Sequence, residues 1–494
     1  MSSTKKKITR KKATSSRSDF ASVARKAMRA VVQVYIEGIN ALDPQSILDP
    51  RYNVPATWTG SGFFIKIVKN KIHILTNSHV VRNARTIKIF SYITSEEAFK
   101  VRIVGQVESM DPDVALLEFE TGEEERFLKL AGEIPVLKFA DPKIIRRGME
   151  VKAIGYPLGM DEPHISGGEI SNFMAGGINF SERLVTDASI NPGNSGGPAI
   201  ISTGEVIGIN TAIVIGANNI GFITPINFVS ILLKNLLEQG KGVLSELGGR
   251  LQKNSESNAR FLKMKKPQGV IVTRVQKSGL LAEAKAQIRD VLLSINGTHF
   301  DRHGLVTNDE HFRHRNIYDI VRLIPIGSKV KMKFFRNGKP RNVTIVAKPR
   351  TDLTVAESSA QPLSNKRFFI HFQGMILQKI HLHILSVLEE IAPEAYERFF
   401  DRSQGKISSG VMITFIQFEG QAFDLALEVG DVVHSVDGIR IKSLEGLQRV
   451  LNQAISKGKK LVLFEMESGA IAAFDLKGQK ELVKIEDPFD HLEF

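Results

Sequence analysis

The chain has 494 residues, of which 42% are hydrophobic, enough for about three globular domains with ordinary cores. It contains no cysteine, which excludes disulfides, thiolate metal sites and a cysteine nucleophile. The formal net charge is +13, but residues 1–30 contribute +9 of it, with ten Lys and Arg against one acid. The basic character therefore belongs to an N-terminal tail and not to the folded part of the chain.

Residues 1–28 are predicted to be a solvated, disordered tail, because so much charge with so little apolar surface cannot form a core. A targeting peptide and a tether to nucleic acid or an anionic surface are the alternatives. Arg25, Lys26 and Arg29 interrupt the apolar residues that follow, which argues against a secretory signal. No later stretch is long and apolar enough to span a bilayer. We therefore expect a cytoplasmic location, with import into an organelle through the tail as the alternative.

Residues 29–240 are predicted to form one mostly β domain. Between residues 30 and 225, short apolar runs alternate with Gly, Asn and Ser turns, a pattern typical of half-buried strands in barrels or sandwiches. Residues 38–56, rich in Pro, Asp and Asn, are expected to form a surface loop between early strands. The leucine spacing in residues 226–239 predicts a helix that closes the domain.

Three motifs in this domain carry residues suited to nucleophilic catalysis. Residues 76–81 (TNSHVV) contain His79, Asp113 heads an apolar strand, and residues 191–198 (NPGNSGGP) place Ser195 in a glycine-rich turn. The order His, Asp, Ser is that of chymotrypsin-type double barrels. The G-x-S-x-G elbow of α/β-hydrolases is not favoured, because a strand, a turn and a second strand follow Ser195 where that elbow requires a helix.

In such a triad His79 removes the proton of Ser195 and Asp113 holds the imidazole in the required tautomer. The backbone N–H groups of Gly193 and Ser195 are predicted to form an oxyanion hole, with Asn194 setting the peptide orientation between them. The primary specificity pocket is predicted to be lined by Ser189, Ile190, Asn210, Thr211 and Ala212. Asp111 is interpreted as a turn residue, and His73 and Asp187 as structural.

The downstream half contains an internal repeat that resembles PDZ domains. Residues 241–350 and 366–480 each show a strand, a short helix and an Asp-led strand closed by an Asn-Gly or Asp-Gly turn. Residues 351–365 are the predicted linker and residues 481–494 a C-terminal tail. The predicted fold is therefore a chymotrypsin-like double β-barrel followed by two PDZ-like α+β domains.

PDZ grooves take a peptide C-terminus by strand addition, and backbone amides grip its carboxylate. We expect these amides at Leu247, Gly248 and Gly249 in the first copy, and in the second at Phe372, Gln373, Gly374 and Met375. The second loop has one glycine where the first has two, and the chain beyond residue 470 has the length to fold back over the groove. We therefore expect the second copy to serve assembly or regulation more than substrate capture.

Four histidines cluster in the first PDZ-like segment, namely His299, His303, His311 and His314. Their spacing is irregular for metal ligands, and we expect neither a metal nor a cofactor.

The motifs around His79, Asp113 and Ser195, together with residues 154–159 and 220–225, resemble the HtrA/Deg family of serine proteases. The downstream half is most similar to the plant-type Deg branch of that family. The resemblance implies an ATP-independent serine endopeptidase that degrades misfolded or damaged proteins and cleaves after small or medium aliphatic residues. It also implies a homotrimer-based assembly, chaperone activity, and unfolded polypeptides and C-terminal peptides as partners. A peptide-binding chaperone or scaffold with little proteolysis, and a protease tethered to nucleic acid by its basic tail, remain the alternatives.

Overall fold

The computed structural model describes residues 16–39, 47–52, 55–67, 71–95, 97–107, 111–174, 181–211, 220–308, 315–349, 368–380, 384, 387–388, 410–418, 420–425, 427–477, 479 and 481–487. Two closed six-stranded barrels are followed by smaller sheets that carry short helices. This confirms the predicted class, a mostly β double-barrel protease fold followed by two PDZ-like domains.

The first barrel is antiparallel, in the strand order β1-β2-β3-β6-β5-β4. In chain order this part contains α1 (Ser16–Met28), β1 (Val31–Ile39), β2 (Pro55–Lys66), β3 (Ile72–Thr76), α2 (Ser78–Val81), β4 (Ala84–Phe90), β5 (Phe99–Gln106), β6 (Ala115–Phe119) and α3 (Glu123–Ala131). Four phenylalanines, Phe64, Phe99, Phe119 and Phe127, pack inside with ring centroids between 5.0 and 6.4 Å apart. These inward-pointing rings make the barrel a packed core.

The second barrel has the order β10-β11-β12-β9-β8-β7. Its elements are β7 (Glu150–Gly155), β8 (His164–Met174), β9 (Arg183–Thr186), β10 (Pro198–Ile200), β11 (Val206–Thr211), β12 (Gly221–Pro225) and the closing helix α4 (Ile226–Gln239). Helix α4 has the predicted bounds. Its buried Ile226, Val229, Leu232 and Leu236 belong to a core cluster that also contains residues of both barrels, which fixes one barrel against the other.

The predicted disorder of residues 1–28 is wrong from residue 16 onward, where α1 begins. Phe20, Ala24 and Ala27 are at most 4% exposed and pack into the core shared by the barrels. They recur at intervals of four and three residues, so they form one apolar stripe on a helix that is otherwise strongly charged. Residues 1–15 lie outside the described part of the chain.

The first PDZ-like domain contains β13 (Gly249–Lys253), α5 (Glu256–Phe261), β14 (Val270–Val275), α6 (Leu280–Glu283), β15 (Val291–Ile295), β16 (Thr298–His299), α7 (Ile317–Arg322), β17 (Lys329–Arg336) and β18 (Lys339–Val346). Its sheet order is β13-β14-β15-β17-β18, with β16 paired to β15. The Asn296-Gly297 turn joins β15 to β16 with positive φ at both residues (47° and 82°), the geometry that this dipeptide favours.

The second PDZ-like domain contains β19 (Phe369–Phe372), β20 (Met375–Lys379), β21 (Val411–Ile416), α8 (Gln421–Asp424), β22 (Val433–Val436), β23 (Ile439–Arg440), α9 (Leu444–Ser456), β24 (Leu461–Met466) and β25 (Ile471–Asp475). Its strands form two sheets, β19-β20-β21 and β23-β22-β24-β25. In the described ranges, no helix is long and apolar enough to cross a membrane.

Candidate active site

The candidate site lies where the two barrels meet, because glycines let their backbones approach closely. A Cβ atom added to Gly60 of β2 would lie 2.6 Å from the Val80 side chain, next to His79, and 3.3 Å from the carbonyl oxygen of Ser195. A Cβ on Gly196 would collide with Thr76, three residues before His79. The His79 helix of the first barrel and the Ser195 turn of the second are therefore neighbours.

Asp113 holds His79 at two points. One carboxylate oxygen accepts a hydrogen bond from the His79 backbone N–H at 3.0 Å, and the other is bonded to ring Nδ1. The Asp113 side chain is 6% exposed and the His79 side chain 35%. The ring is thus oriented through Nδ1, and Nε2 is the nitrogen left to act as a base.

The two groups shift each other's pKa. Burial by itself would lower the pKa of His79, but the Asp113 charge and hydrogen bond outweigh it and raise that pKa above its ordinary value. Burial would likewise raise the pKa of Asp113, but the charge and hydrogen bonds of His79 hold it below the ordinary value. The arrangement favours a carboxylate beside an imidazole that readily accepts a proton.

Two residues not predicted for the site, Asn77 and Ser78, hold its first-barrel half in place. Asn77 Nδ2 donates to the Asp113 carbonyl oxygen at 2.7 Å and to Thr211 Oγ1 at 3.2 Å, and Ser78 Oγ donates to the Val114 carbonyl oxygen at 2.6 Å. Asn77 and Ser78 stand directly before His79 in the same motif, and this adjacency was the only signal for them. They tie the histidine loop to the aspartate loop through buried hydrogen bonds.

The Ser195 turn is shaped by backbone geometry. Gly193 has φ 97°, and a Cβ atom there would lie 2.7 Å from the Leu158 nitrogen. The Pro192 carbonyl accepts from Leu158 N–H at 3.0 Å. Because N–H and C=O point in opposite directions across a trans peptide, the Gly193 N–H faces away from Leu158. This orientation suits the predicted donor, whereas the Asn194 side chain is buried behind the turn.

Ser61 of β2, which the sequence analysis did not predict for the site, stabilises this turn. Its N–H donates to the Ser195 carbonyl oxygen at 2.7 Å and its hydroxyl to the Gly193 carbonyl oxygen at 2.6 Å. The hydroxyl also accepts from the Tyr156 N–H at 2.8 Å. A single first-barrel serine thus fixes both ends of the predicted oxyanion turn.

The predicted specificity-pocket residues divide into two groups. Ser189 is exposed, and Ile190 is half-buried with its side chain against Gly221. Asn210 and Thr211 are buried and bonded elsewhere, since Asn210 Nδ2 donates to backbone oxygens on β7 and β10 at 3.1 and 3.2 Å and Thr211 accepts from Asn77. Ala212 lies outside the described residues.

The competing acids and histidine make contacts of their own outside the predicted triad, and Asp111, predicted to be a turn residue, also forms an ion pair. Asp187 accepts from the Glu169 N–H at 2.6 Å. Asp111 accepts from the Ser181 N–H and pairs with Arg183 at 3.2 Å. His73 is buried in β3, and burial lowers its pKa.

The two predicted carboxylate loops are equivalent by hydrogen bonding. Two backbone N–H groups close each loop: from Gln276 to Gly248 and from Leu281 to Leu247 in the first copy, and from Gln417 to Gly374 and from Ala422 to Gln373 in the second. Strand β13 therefore corresponds to β20.

The strand edges beside these loops differ. Within the described chain β13 pairs only with β14, whereas β20 pairs with β21 on one side and with β19 on the other. The side chains of Ile370 and Phe372 on β19 pack in one core with Leu447 and Leu451 of helix α9. Beyond β25 the chain returns to this region, where the Glu486 N–H donates to the Phe369 carbonyl oxygen at 2.8 Å. In the second copy, β19 thus lies where the prediction places a peptide.

Of the clustered histidines, His299 lies on β16 and His303 follows it, while His311 and His314 fall outside the described residues. In the part of the chain that the structure covers, no group of His, Asp and Glu has an arrangement that could hold a metal ion.

Comparisons with known proteins find relatives with a similar sequence and fold. Residues 60–209 match the family model described as trypsin-like peptidase domain. A probable periplasmic DegP-like serine endoprotease of Pseudomonas putida is 30% identical over 398 residues, which cover 78% of this chain and 72% of that protein. The periplasmic serine endoprotease DegP of Escherichia coli K12 is 27% identical over 401 residues, covering 80% and 72%. A serine-to-alanine variant of the HtrA-type protease AlgW, solved with a decapeptide, has a similar fold, with a TM-score of 0.51, 23% identity, and coverage of 67% of this chain and 98% of that one.

The expected cytoplasmic location is wrong. The relatives from Pseudomonas and Escherichia are named as periplasmic proteases, which points to an extracytoplasmic location. The expectation rested on the charges that interrupt the apolar residues after the basic tail, and α1 shows that these residues serve the packing of the barrels instead. The comparisons do not distinguish the plant-type branch from the rest of the family.

Proposed function

We propose that this chain, which belongs to the HtrA/Deg family of serine endoproteases, hydrolyses peptide bonds through an acyl-enzyme formed on Ser195. It is a serine endopeptidase of protein quality control. The observation that carries the mechanism is the pair of hydrogen bonds between His79 and Asp113 on one barrel, adjacent to the Ser195 turn of the other.

The proposed reaction has two acyl-transfer steps. His79 Nε2 takes the Ser195 proton as Oγ attacks the scissile carbonyl carbon, and the N–H groups of Gly193 and Ser195 stabilise the oxyanion. His79 then gives that proton to the leaving amine, so that the C–N bond breaks and an ester on Ser195 remains. Water, deprotonated by His79, attacks the ester carbon; His79 then gives this proton to Ser195 Oγ as the ester C–O bond breaks and the acid product leaves. Neither step requires ATP.

Asp113 stays ionised throughout and stabilises the imidazolium formed in each step, which its lowered pKa supports. Ile190 and Ser189 present an uncharged surface before the Ser195 turn, which favours small or medium aliphatic residues ahead of the cleaved bond. Asn210 and Thr211 support the site through buried hydrogen bonds to its backbone and to Asn77.

Unfolded polypeptides in an extracytoplasmic compartment are the proposed substrates. The first PDZ-like domain is the proposed receptor for their C-termini, because β13 offers an unpaired edge next to Gly248 among the described residues. A peptide added there would extend the sheet antiparallel to β13. A trimer-based assembly and chaperone activity are carried over from the family resemblance.

The test is degradation of casein by the wild type and by Ser195→Ala, with products mapped by mass spectrometry. Ser202→Ala, a change of an exposed serine in the same barrel, is the matched control. We expect Ser195→Ala alone to lose cleavage while it still binds unfolded casein. Retained cleavage in folded Ser195→Ala would refute the mechanism. A wild type that suppresses aggregation but cuts nothing would favour the chaperone alternative.

A further inference from the structure

A short segment of the protease part lies on the second PDZ-like domain. Residues 47–52 belong to the connection between β1 and β2, which the sequence predicted to be a surface loop. Ile47 is only 5% exposed and Asp49 fully buried. Ile47 and Leu48 accept hydrogen bonds from residues more than three hundred positions away in the sequence, so this is a contact between two domains.

Two polar side chains of the second PDZ-like domain bind the backbone of this segment. Gln378 Nε2 on β20 donates to the carbonyl oxygens of Ile47 and Leu48 at 3.1 and 2.9 Å. Thr414 Oγ1 on the neighbouring strand β21 donates to the Leu48 carbonyl oxygen at 2.6 Å. All three donations are buried or partly buried, so breaking them would leave polar groups without partners.

Apolar and charged contacts extend the interface on either side. Ile47 packs in one cluster with Ile380, Met412 and Val432. The buried Asp49 is paired within the segment to Arg51 at 2.8 Å, and this charge-assisted pair makes the burial of the carboxylate tolerable. The Arg51 guanidinium in turn lies 5.8 Å from the centre of the Phe415 ring.

The bound face is the outer face of the sheet β19-β20-β21. Leu377 and Ile413 alternate with Gln378 and Thr414 along the strands and point into the domain's own core. On the inner side, side chains of β19 and β20 pack in one core with those of α9. The described contacts of this sheet are therefore made with the protein's own chain on both faces.

The segment leads directly into the strand that contacts both halves of the catalytic site. Strand β2 begins at Pro55, and Trp58 Nε1 on it donates at 2.7 Å to the carbonyl oxygen of Val80, the residue after His79. Further along β2, Ser61 binds the Gly193 and Ser195 carbonyl oxygens. A restraint on residues 47–51 is thus a restraint on the start of β2.

We infer that the outer sheet face of the second PDZ-like domain positions part of the protease. It binds residues 47–51 and thereby holds β2 against the His79 helix and the Ser195 turn, and we call this contact the clamp. This rests on the proposed function of Ser195. Gln378 and Thr414 are positioning residues, since they act through β2 and touch no reacting atom. Release of the clamp lowers kcat and the reactivity of Ser195 towards small reagents, and changes KM for a short peptide little.

The experiment uses the full-length protein with changes on each side of the contact. Gln378→Ala with Thr414→Val removes the two side-chain donors. Thr414→Ser keeps the hydroxyl and is the matched conservative variant. Ile47→Ala changes the bound segment and leaves the sequence of the PDZ-like domain unaltered. Arg440→Ala, at an ion pair in the other sheet of the same domain, is the control for a change there that leaves the clamp intact. The readouts are tryptic cleavage after Arg51, the rate of Ser195 labelling by diisopropyl fluorophosphate, and kcat and KM for a chromogenic tetrapeptide.

We expect the double variant and Ile47→Ala to expose the Arg51 cleavage site and to lower both the labelling rate and kcat about fivefold or more, with Thr414→Ser and Arg440→Ala near wild type. Tryptic cleavage after Arg51 with an unchanged rate of Ser195 labelling would overturn the clamp. Residues 47–51 that stay protected from trypsin in both variants would also overturn it. If the double variant unfolds, Ile47→Ala decides by the same readouts. A wild type that is not labelled at Ser195 would instead overturn the proposed function.

Discussion

Replacing Asp113 by asparagine tests the proposed roles of the triad through one nearly isosteric change. The carboxylate accepts two hydrogen bonds from His79, one from the backbone N–H and one at Nδ1. An amide can accept only one of them with its oxygen, and its NH₂ group then faces Nδ1. The bond at Nδ1 survives only if the ring proton moves to Nε2, where it prevents His79 from accepting the Ser195 proton.

The expected loss in kcat is about 10⁴-fold, equivalent to about 5 kcal/mol of transition-state stabilisation. The pH profile should move as well. In the wild type the rate falls as pH drops through the raised pKa of His79, because only the neutral ring is a base. Without the Asp113 charge, burial dominates and lowers that pKa, so the acid limb of the residual activity shifts to lower pH.

Initial rates on a chromogenic peptide between pH 5 and 9 measure both effects. Asp187→Asn is the matched control, since this carboxylate accepts from the Glu169 backbone N–H on the neighbouring strand and its change should leave kcat near wild type. A loss below tenfold in Asp113→Asn, or an acid limb that does not move, would refute the assigned roles.

Three further changes test other parts of the account. Ser61→Ala should lower kcat about tenfold, because it removes a hydrogen bond worth on the order of 1–2 kcal/mol from the Ser195 turn; initial rates check this, and an unchanged kcat would contradict it. Phe20→Ala should lower the free energy of unfolding by about 3 kcal/mol, since the ring is 2% exposed in the core between the barrels. Thermal melts against Lys26→Ala, an exposed position on the same helix, measure the effect, and equal melting temperatures would show that α1 is not packed there. Glu182→Gln should cost about 3 kcal/mol, because it removes the negative charge of a buried ion pair at the contact between the protease and the first PDZ-like domain, where the Arg315 side chain is 8% exposed and lies 2.6 Å from Glu182. Denaturant unfolding checks this change, and a loss below about 1 kcal/mol would argue against a structural role for the pair.

The double barrel and the predicted triad were accessible from the sequence for a local reason. His79, Asp113 and Ser195 each stand in a short motif, and the order of the motifs along the chain predicts the barrel to which each belongs. The glycines around Ser195 are required by a close approach that a Cβ atom would block, so the turn is visible as a glycine pattern.

The missed features depend on contacts between residues distant in the sequence. The sequence predicts a disordered tail in place of helix α1 because the charges of this helix obscure the stripe of Phe20, Ala24 and Ala27. That stripe is buried by packing against barrels formed from residues later in the chain. Ser61 carries no motif of its own, and its role is set by a turn 132 residues further on. The docking of Ile47 and the strand β19 likewise follow from tertiary packing that no local pattern encodes.

The most direct test of the central claim is the site at which diisopropyl fluorophosphate modifies the wild-type protein. Mass spectrometry of the digested protein should find the adduct on Ser195, and His79→Ala should lose it while Ser202→Ala keeps it, because the proposed base and oxyanion turn activate Ser195. An adduct at another serine, or equal labelling of Ser195 in His79→Ala, would contradict the assignment of the active site.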